Sequence, residues 1–144
     1  MKLCTIGFTS KGAEEFFARL RKAGVKRVVD VRLNNTGQLA GFSKRDDLKF
    51  FTKEILGAEY VHLPILAPTQ QMLDEYKKEK RGWEVYEENF LKLMKEREIE
   101  KNVEREVLDD ACLLCSEDKP HQCHRRLVAE YLQGKWDSVQ VDHL

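Results

Sequence analysis

The sequence predicts an α/β fold: a single domain built on a mostly parallel sheet of about five strands, with helices on both faces in a Rossmann-like three-layer arrangement. Three observations carry that expectation. Short apolar runs bounded by turn residues alternate with longer amphipathic segments, the rhythm of strands joined by crossover helices. The length, 144 residues, suits one domain. No internal repeat, low-complexity tract or Pro/Gly/Ser-rich linker divides the chain.

Leu3-Cys4-Thr5-Ile6 reads as the first strand. Ser10 is the expected N-cap of a helix over residues 11–22, whose Phe16, Phe17 and Leu20 share one face, and Gly24 ends it. Val28-Val29-Asp30-Val31 is the second strand. Residues 32–42 then form a connection longer than the usual two to six residues, a length common in functional loops. Ser43 is expected to cap a helix over 44–56 that Gly57 stops, and Tyr60-Val61-His62-Leu63 is the third strand, ended by Pro64. The charged stretch from Thr69 to Val107 reads as two helices broken near Gly82, with Trp83, Tyr86, Phe90, Leu91 and Met94 spaced as a core stripe. Ala111-Cys112-Leu113-Leu114-Cys115 is the fourth strand, a helix follows from about Gln122 to Leu132, and Val139-Gln140-Val141 closes the sheet.

Composition narrows the function classes. Lys and Arg number 25 against 25 Asp and Glu, so net charge offers no global footprint for nucleic acid. The zero is the sum of +5 over residues 1–64 and −5 over residues 65–144, read as a mixed-charge surface. No apolar run approaches the roughly 18 residues that span a bilayer, and Met1-Lys2-Leu3-Cys4-Thr5 has no signal-peptide pattern. The expectation is a cytoplasmic protein without a membrane partner. Four cysteines are too few for a disulfide scaffold in a chain of this length, and a reducing compartment keeps them as thiols.

Open parallel sheets bind ligands at the carboxyl ends of their strands. The polar residues of interest fall there: Thr9 and Ser10, Asp30 and Arg32, His62, Ser116 and Glu117, and the run Cys123-His124-Arg125-Arg126. Polar residues at four strand exits imply a built pocket.

Cys112-x-x-Cys115 with Cys123 and His124 resembles a zinc set, but side chains alternate along a strand, so residues 112 and 115 point to opposite faces. No metal and no cofactor is therefore expected, and Cys4 and Cys112 read as buried small hydrophobes. Cys115 ends its strand and Cys123 begins a helix, where free backbone N–H groups and the charges of Arg125 and Arg126 favour a thiolate. Such a thiolate is a candidate nucleophile, with His124 or Glu117 moving protons. The same helix start and Arg125 also suit an anion. His124 shares a helical face with Leu127, Val128 and Tyr131, so a structural role stands beside the catalytic one. Asp30 and Arg32 share a face, either as an ion pair or as an Arg held by Asp to clamp a ligand. Asn34, Asn35, Thr36 and Gln38 make the next loop rich in amides. His143 is expected to be exposed. Phosphate-loop and dinucleotide glycine patterns are absent.

Thr5-Ile6-Gly7-x-x-Ser10, Val29-Asp30-Val31-Arg32, Phe42, Tyr60-Val61-His62-Leu63-Pro64, Leu114-Cys115-Ser116-Glu117 and Cys123-His124-Arg125-Arg126 together resemble the family called domain of unknown function 488. The resemblance runs over essentially the whole chain and implies an α/β domain without supplying a reaction. It singles out Gly7, Ser10, Asp30, Arg32, His62, Cys115, Glu117, Cys123, His124 and Arg125. Two positions depart from the commoner pattern: Phe8 stands where a His usually follows the Gly, and Asn34-Asn35 replaces a Pro-containing turn.

The expected function is that of an enzyme acting on a small anionic substrate that contains phosphate or sulfur. Cys115, Glu117, Cys123 and His124 are its candidate catalytic residues, and Ser10, Asp30, Arg32, Asn34, His62, Ser116 and Arg125 its candidate substrate-binding residues. The alternative is a non-catalytic nucleotide or nucleic-acid binding module. A third reading is a scaffold using the charged helices between Thr69 and Val107.

Overall fold

The structure, a computed structural model, describes residues 1–37 and 41–144. Gln38, one of the amides singled out in the long loop, lies outside the described residues. Five strands, β1 (Lys2–Gly7), β2 (Arg27–Asp30), β3 (Glu59–His62), β4 (Ala111–Cys115) and β5 (Gln140–His143), form one sheet in the order β3-β2-β4-β1-β5. Every neighbouring pair is parallel. Among the described residues the α-helices are α1 (Ala13–Lys22), α2 (Arg45–Leu56), α3 (Gln70–Lys77), α4 (Trp83–Glu96), α5 (Ile99–Asn102), α6 (Arg105–Leu108) and α7 (His124–Lys135).

Strand alternation divides the core. Cys4, Ile6, Val28, Cys112 and Leu114 face α1 and α2, where Phe16, Phe17, Leu20 and Leu48 meet them. Leu3, Val29, Ala111, Leu113 and Cys115 face the other layer, built from Phe90 and Met94 of α4, Ile99, Leu108 and the Leu127, Val128 and Leu132 ridge of α7. Each such fully buried Leu or Phe contributes about 1.5–3 kcal/mol through the area it removes from water.

The layer split follows from topology. The chain steps from β1 to β2 to β3 in one direction, with α1 and α2 on one face. It then steps from β3 to β4 to β5 in the other direction, with α3 to α7 on the opposite face. A single crossover hand requires that exchange of faces when the direction reverses. β4 therefore lies between β1 and β2 while its own crossover leaves on the other side, and a crevice opens at its carboxyl end.

Local expectations were corrected at the helix starts and in the charged stretch. α1 begins at Ala13 with Gly12 at its N-cap, not under a Ser10 cap. The chain turns first: Lys11 N–H donates to Phe8 O and Thr9 N–H to Ser116 O, while Ser10 takes a left-handed φ of 62° and is exposed. Ser43 is buried in a 3-10 turn over Gly41–Ser43, and Lys44 takes the N-cap of α2. The stretch expected as two helices holds four, α3 to α6. The break at Gly82, φ 93°, is as expected, but the next falls at Glu98, a non-glycine residue at φ 48°. A reading that looks for glycine has no signal there.

A candidate site where β4 meets α7

β4 ends at Cys115, level with Gly7 of β1. The chain then turns through residues 116–122 and enters α7, with Cys123 at its N-cap. Gly7 makes the turn possible, because a Cβ there would lie 1.6 Å from Glu117 O and 2.7 Å from Nη1 of Arg125. The turn is pinned from the connection between β1 and α1 by the bond of Thr9 N–H to Ser116 O, 3.0 Å, and by an ion pair between the buried Lys11 ammonium and Asp118.

Arg125, in the first turn of α7, is fully buried beneath this loop. Its Nη1 donates to Glu117 O, its Nη2 donates to Asp118 O at 3.0 Å, and its Nε reaches Thr5 Oγ1 at 3.4 Å. Nη1 also lies 3.3 Å from Sγ of Cys115 and 3.7 Å from Sγ of Cys123. Burial lowers its pKa to about 10, which still leaves it charged at neutral pH.

The sulfurs of Cys115 and Cys123 are joined in a disulfide of length 2.15 Å, their Cα atoms 7.6 Å apart. The expectation of four thiols is corrected at these two positions, where the turn folds residues eight apart onto one another. Cys4 and Cys112 are free and buried, as expected, and burial pushes both thiols up. Cys112 faces the α1/α2 layer while Cys115 faces α7, so alternation separates them as the strand pattern implied. The ligand atoms of Cys115, Cys123 and His124 nonetheless come within 4.8 Å of one another.

His124 Nε2 lies 2.7 Å from Val31 O at the end of β2, and its ring packs on Phe90 at 5.5 Å. A carbonyl only accepts, so Nε2 carries the proton and the lone pair is on Nδ1. Burial holds the imidazole neutral, its pKa lowered to about 4.

On the β2 side, Arg32 Nε and Nη2 donate to the two oxygens of Asp30, each at 2.9 Å, and Nη2 donates also to Ser43 O at 2.7 Å. Asp30 is fully buried and accepts a further bond from Tyr60 Oη at 2.6 Å. The Arg32 guanidinium lies over the Phe8 ring, 5.2 Å from its centre. At the position where the resemblance leads one to expect His, an aromatic face supports a cation instead. His62 Nε2 donates to Arg32 O at 2.7 Å.

These elements enclose a cleft of about 140 Å³. Its floor is Cys115, Ser116 and Glu117 with Gln122, Cys123 and His124; Arg32, Leu33 and Asn34 form one side. Tyr76 and Lys77 of α3 and Trp83 and Tyr86 of α4 form the other, with Trp83 and Tyr86 stacked at 5.2 Å. Seven expected residues thus line one cavity: Arg32, Asn34, Cys115, Ser116, Glu117, Cys123 and His124.

Ser10, Asp30, His62 and Arg125 do not line it. Ser10 is carried away by the turn before α1, Asp30 and His62 support Arg32 from behind, and Arg125 lies beneath the sulfurs with its donors engaged. Sequence reasoning missed Tyr76, Lys77, Trp83, Tyr86 and Gln122. The aromatic stripe was its one usable signal, but the stripe was assigned wholly to the core. The stripe is core as expected, with Tyr86, Phe90 and Met94 buried in it and Trp83 packed against it, and at its first turn Trp83 and Tyr86 also line the cleft.

Among the described residues, no helix is long and apolar enough to cross a membrane. The family model described as Domain of unknown function DUF488 matches residues 12–132, which include the motif residues from Asp30 to Arg125 and exclude Gly7 and Ser10. No curated protein and no solved structure matches the chain significantly.

Proposed function

The chain belongs to the DUF488 family, and we propose that it is an enzyme acting on a small anionic, phosphate- or sulfur-containing substrate in this cleft. The reacting group is a thiolate of the Cys115–Cys123 pair in its reduced form. The observation that carries the reading is the buried Arg125 guanidinium, in reach of both sulfurs at the cleft floor. A fixed positive charge beside a thiol at a helix start favours the thiolate.

A dithiol reductant opens the disulfide, giving up two electrons and leaving as its own disulfide. One cysteine gives its proton to water, its thiolate held beside Arg125, and its sulfur bonds to the electrophilic atom of the substrate. The leaving group departs with the electron pair of the broken bond and takes up a proton from Glu117 or water. Glu117, exposed to solvent in the cleft lining, is the proton carrier, and neutral His124 offers Nδ1 as a hydrogen-bond acceptor. Water or an acceptor thiol finally takes the transferred group from the cysteine. Lys77 and Arg32 are the cations of the walls that face such an anion, and among the described residues Nη1 of Arg32 makes no hydrogen bond.

The stacked Trp83–Tyr86 pair favours a second reading, in which the cleft binds a planar base without chemistry. A thermal-shift screen of reduced protein against nucleotides, sugar phosphates and thiosulfate separates the two. A ligand at a hundred times its dissociation constant stabilises by about 2.7 kcal/mol. The enzymatic reading expects a hit together with alkylation of the reduced pair at neutral pH faster than that of a free thiol. A hit without fast alkylation, unchanged in Cys115→Ser and Cys123→Ser, supports the binding module instead.

A further inference from the structure

The reduced sulfur pair has a capability that thiol chemistry does not use. Sγ of Cys115, Sγ of Cys123 and a ring nitrogen of His124 converge within 4.8 Å, and both cysteines are buried. His124 is held in the tautomer a ligand needs: Nε2–H is fixed on Val31 O, so Nδ1 presents its lone pair. Imidazoles bound to metals are commonly oriented in this way, by donating the other ring N–H to a backbone carbonyl. Nη1 of Arg125 sits 3.3 and 3.7 Å from the sulfurs, where it supports negative charge on both. The Cα atoms of the two cysteines are 7.6 Å apart, one at the end of β4 and one at the N-cap of α7.

We propose that the dithiol form binds one zinc ion through Cys115 Sγ, Cys123 Sγ and His124 Nδ1, with the fourth position turned to the cleft. Two thiolates and an imidazole are a ligand set that suits zinc, and three protein ligands leave one site for water or a substrate atom. A dithiol reductant supplies two electrons to the disulfide and leaves as its own disulfide. Zinc then displaces the two thiol protons and forms a site in which two thiolates balance its charge. Disulfide, free dithiol and zinc thiolate are therefore mutually exclusive states of one cluster. Zinc also withdraws both thiolates from any substrate, so the metal-loaded protein is the thiol-protected one. The inference uses the same sulfur pair as the proposed function but does not depend on its catalysis.

The test uses the full chain, reduced with dithiothreitol, desalted under argon and titrated with Co(II), whose absorption reports thiolate ligation. One equivalent is expected to bind with thiolate-to-cobalt charge transfer and tetrahedral ligand-field bands, and zinc is expected to displace it. The oxidised protein is expected to bind none. Cys115→Ser and Cys123→Ser should weaken or abolish the charge-transfer band, His124→Asn should lower affinity by at least about tenfold, and Cys112→Ser should titrate like the parent. No charge-transfer band in the reduced parent overturns the site, as does an undiminished band in both Cys115→Ser and Cys123→Ser. Should a variant fail to fold by circular dichroism, the comparison of oxidised and reduced parent still decides. Alkylation rates on the same preparation keep the two readings apart. Fast alkylation without cobalt binding overturns the zinc site alone, and cobalt binding with slow alkylation overturns the thiolate mechanism alone.

Discussion

Nη1 of Arg125 lies 3.3 Å from Sγ of Cys115, and no part of the Arg125 side chain reaches solvent. The same guanidinium holds the carbonyls of Glu117 and Asp118, so one buried cation both shapes the loop after β4 and sets the charge beside the sulfur.

Replacing Arg125 should therefore act on stability and on thiol chemistry together. Arg125→Ala leaves two loop carbonyls without their donor and a void under the loop, and is expected to cost about 2–4 kcal/mol in urea denaturation. Arg125→Lys retains the charge but not the planar fork, and should fall between Ala and the parent. Slower alkylation of the reduced cysteines in Arg125→Ala than in Arg125→Lys would locate the effect in charge; equal rates would confine Arg125 to shaping the loop.

Gly7 is required for space, with no positive φ involved, since any Cβ would meet Glu117 O at 1.6 Å. Gly7→Ala should displace the loop, lower stability by about 1–3 kcal/mol and alter the alkylation rate of Cys115. Gly134→Ala is the control. A Cβ there has nothing within 4 Å, and it lies inside α7, so a gain of roughly 0.5–1 kcal/mol is expected. Equal responses of the two variants would remove Gly7 from the account.

The pH dependence of folding carries the signature of His124. Its folded pKa is lowered to about 4 from 6.5, so between those values the unfolded chain binds the proton and the native chain does not. Stability should then rise with pH across that window and be lost progressively as pH falls from 6.5 toward 4, by at most ~3 kcal/mol from this residue. Denaturant midpoints of the parent and of His124→Asn across that range test it, the variant showing a flatter profile. An identical profile would mean that another group controls the acid limb.

Trp83 lines the cleft, whereas the indole N–H of Trp136 donates to Glu100 O away from it. In Trp136→Phe the remaining tryptophan fluorescence should change when a ligand enters the cleft. In Trp83→Phe it should not. A signal that follows Trp136 instead would place the ligand elsewhere.

Much of the frame was legible in the residues because it depends on local periodicity. Val28-Val29-Asp30-Val31 and Ala111-Cys112-Leu113-Leu114-Cys115 are mostly apolar runs of strand length, and Phe16, Phe17 and Leu20 repeat at helical spacing. Alternation alone also separated Cys112 from Cys115. The strand exits pointed to Arg32, Cys115 and Cys123, which line the cleft. The cleft-lining role of residues 83 and 86 escaped because a core stripe at helical spacing does not show which of its members also border a cavity. Glu98 escaped as a break because a left-handed turn at a non-glycine residue is imposed by the packing of the flanking helices rather than written in its side chain.

By itself the sequence determined the alternation of strands and helices, the faces those elements bury and the edge at which polar side chains collect. Each of these depends on residues close together in the chain. The tertiary structure alone decided that β4 inserts between β1 and β2, that Gly7 admits the backbone of Glu117, and that Arg125 turns inward beneath Cys115 and Cys123. Those relations join residues about 110 positions apart, Gly7 with Glu117, or select one rotamer of a long side chain. They follow from which surfaces can be buried together, a property of the whole chain that no local window contains.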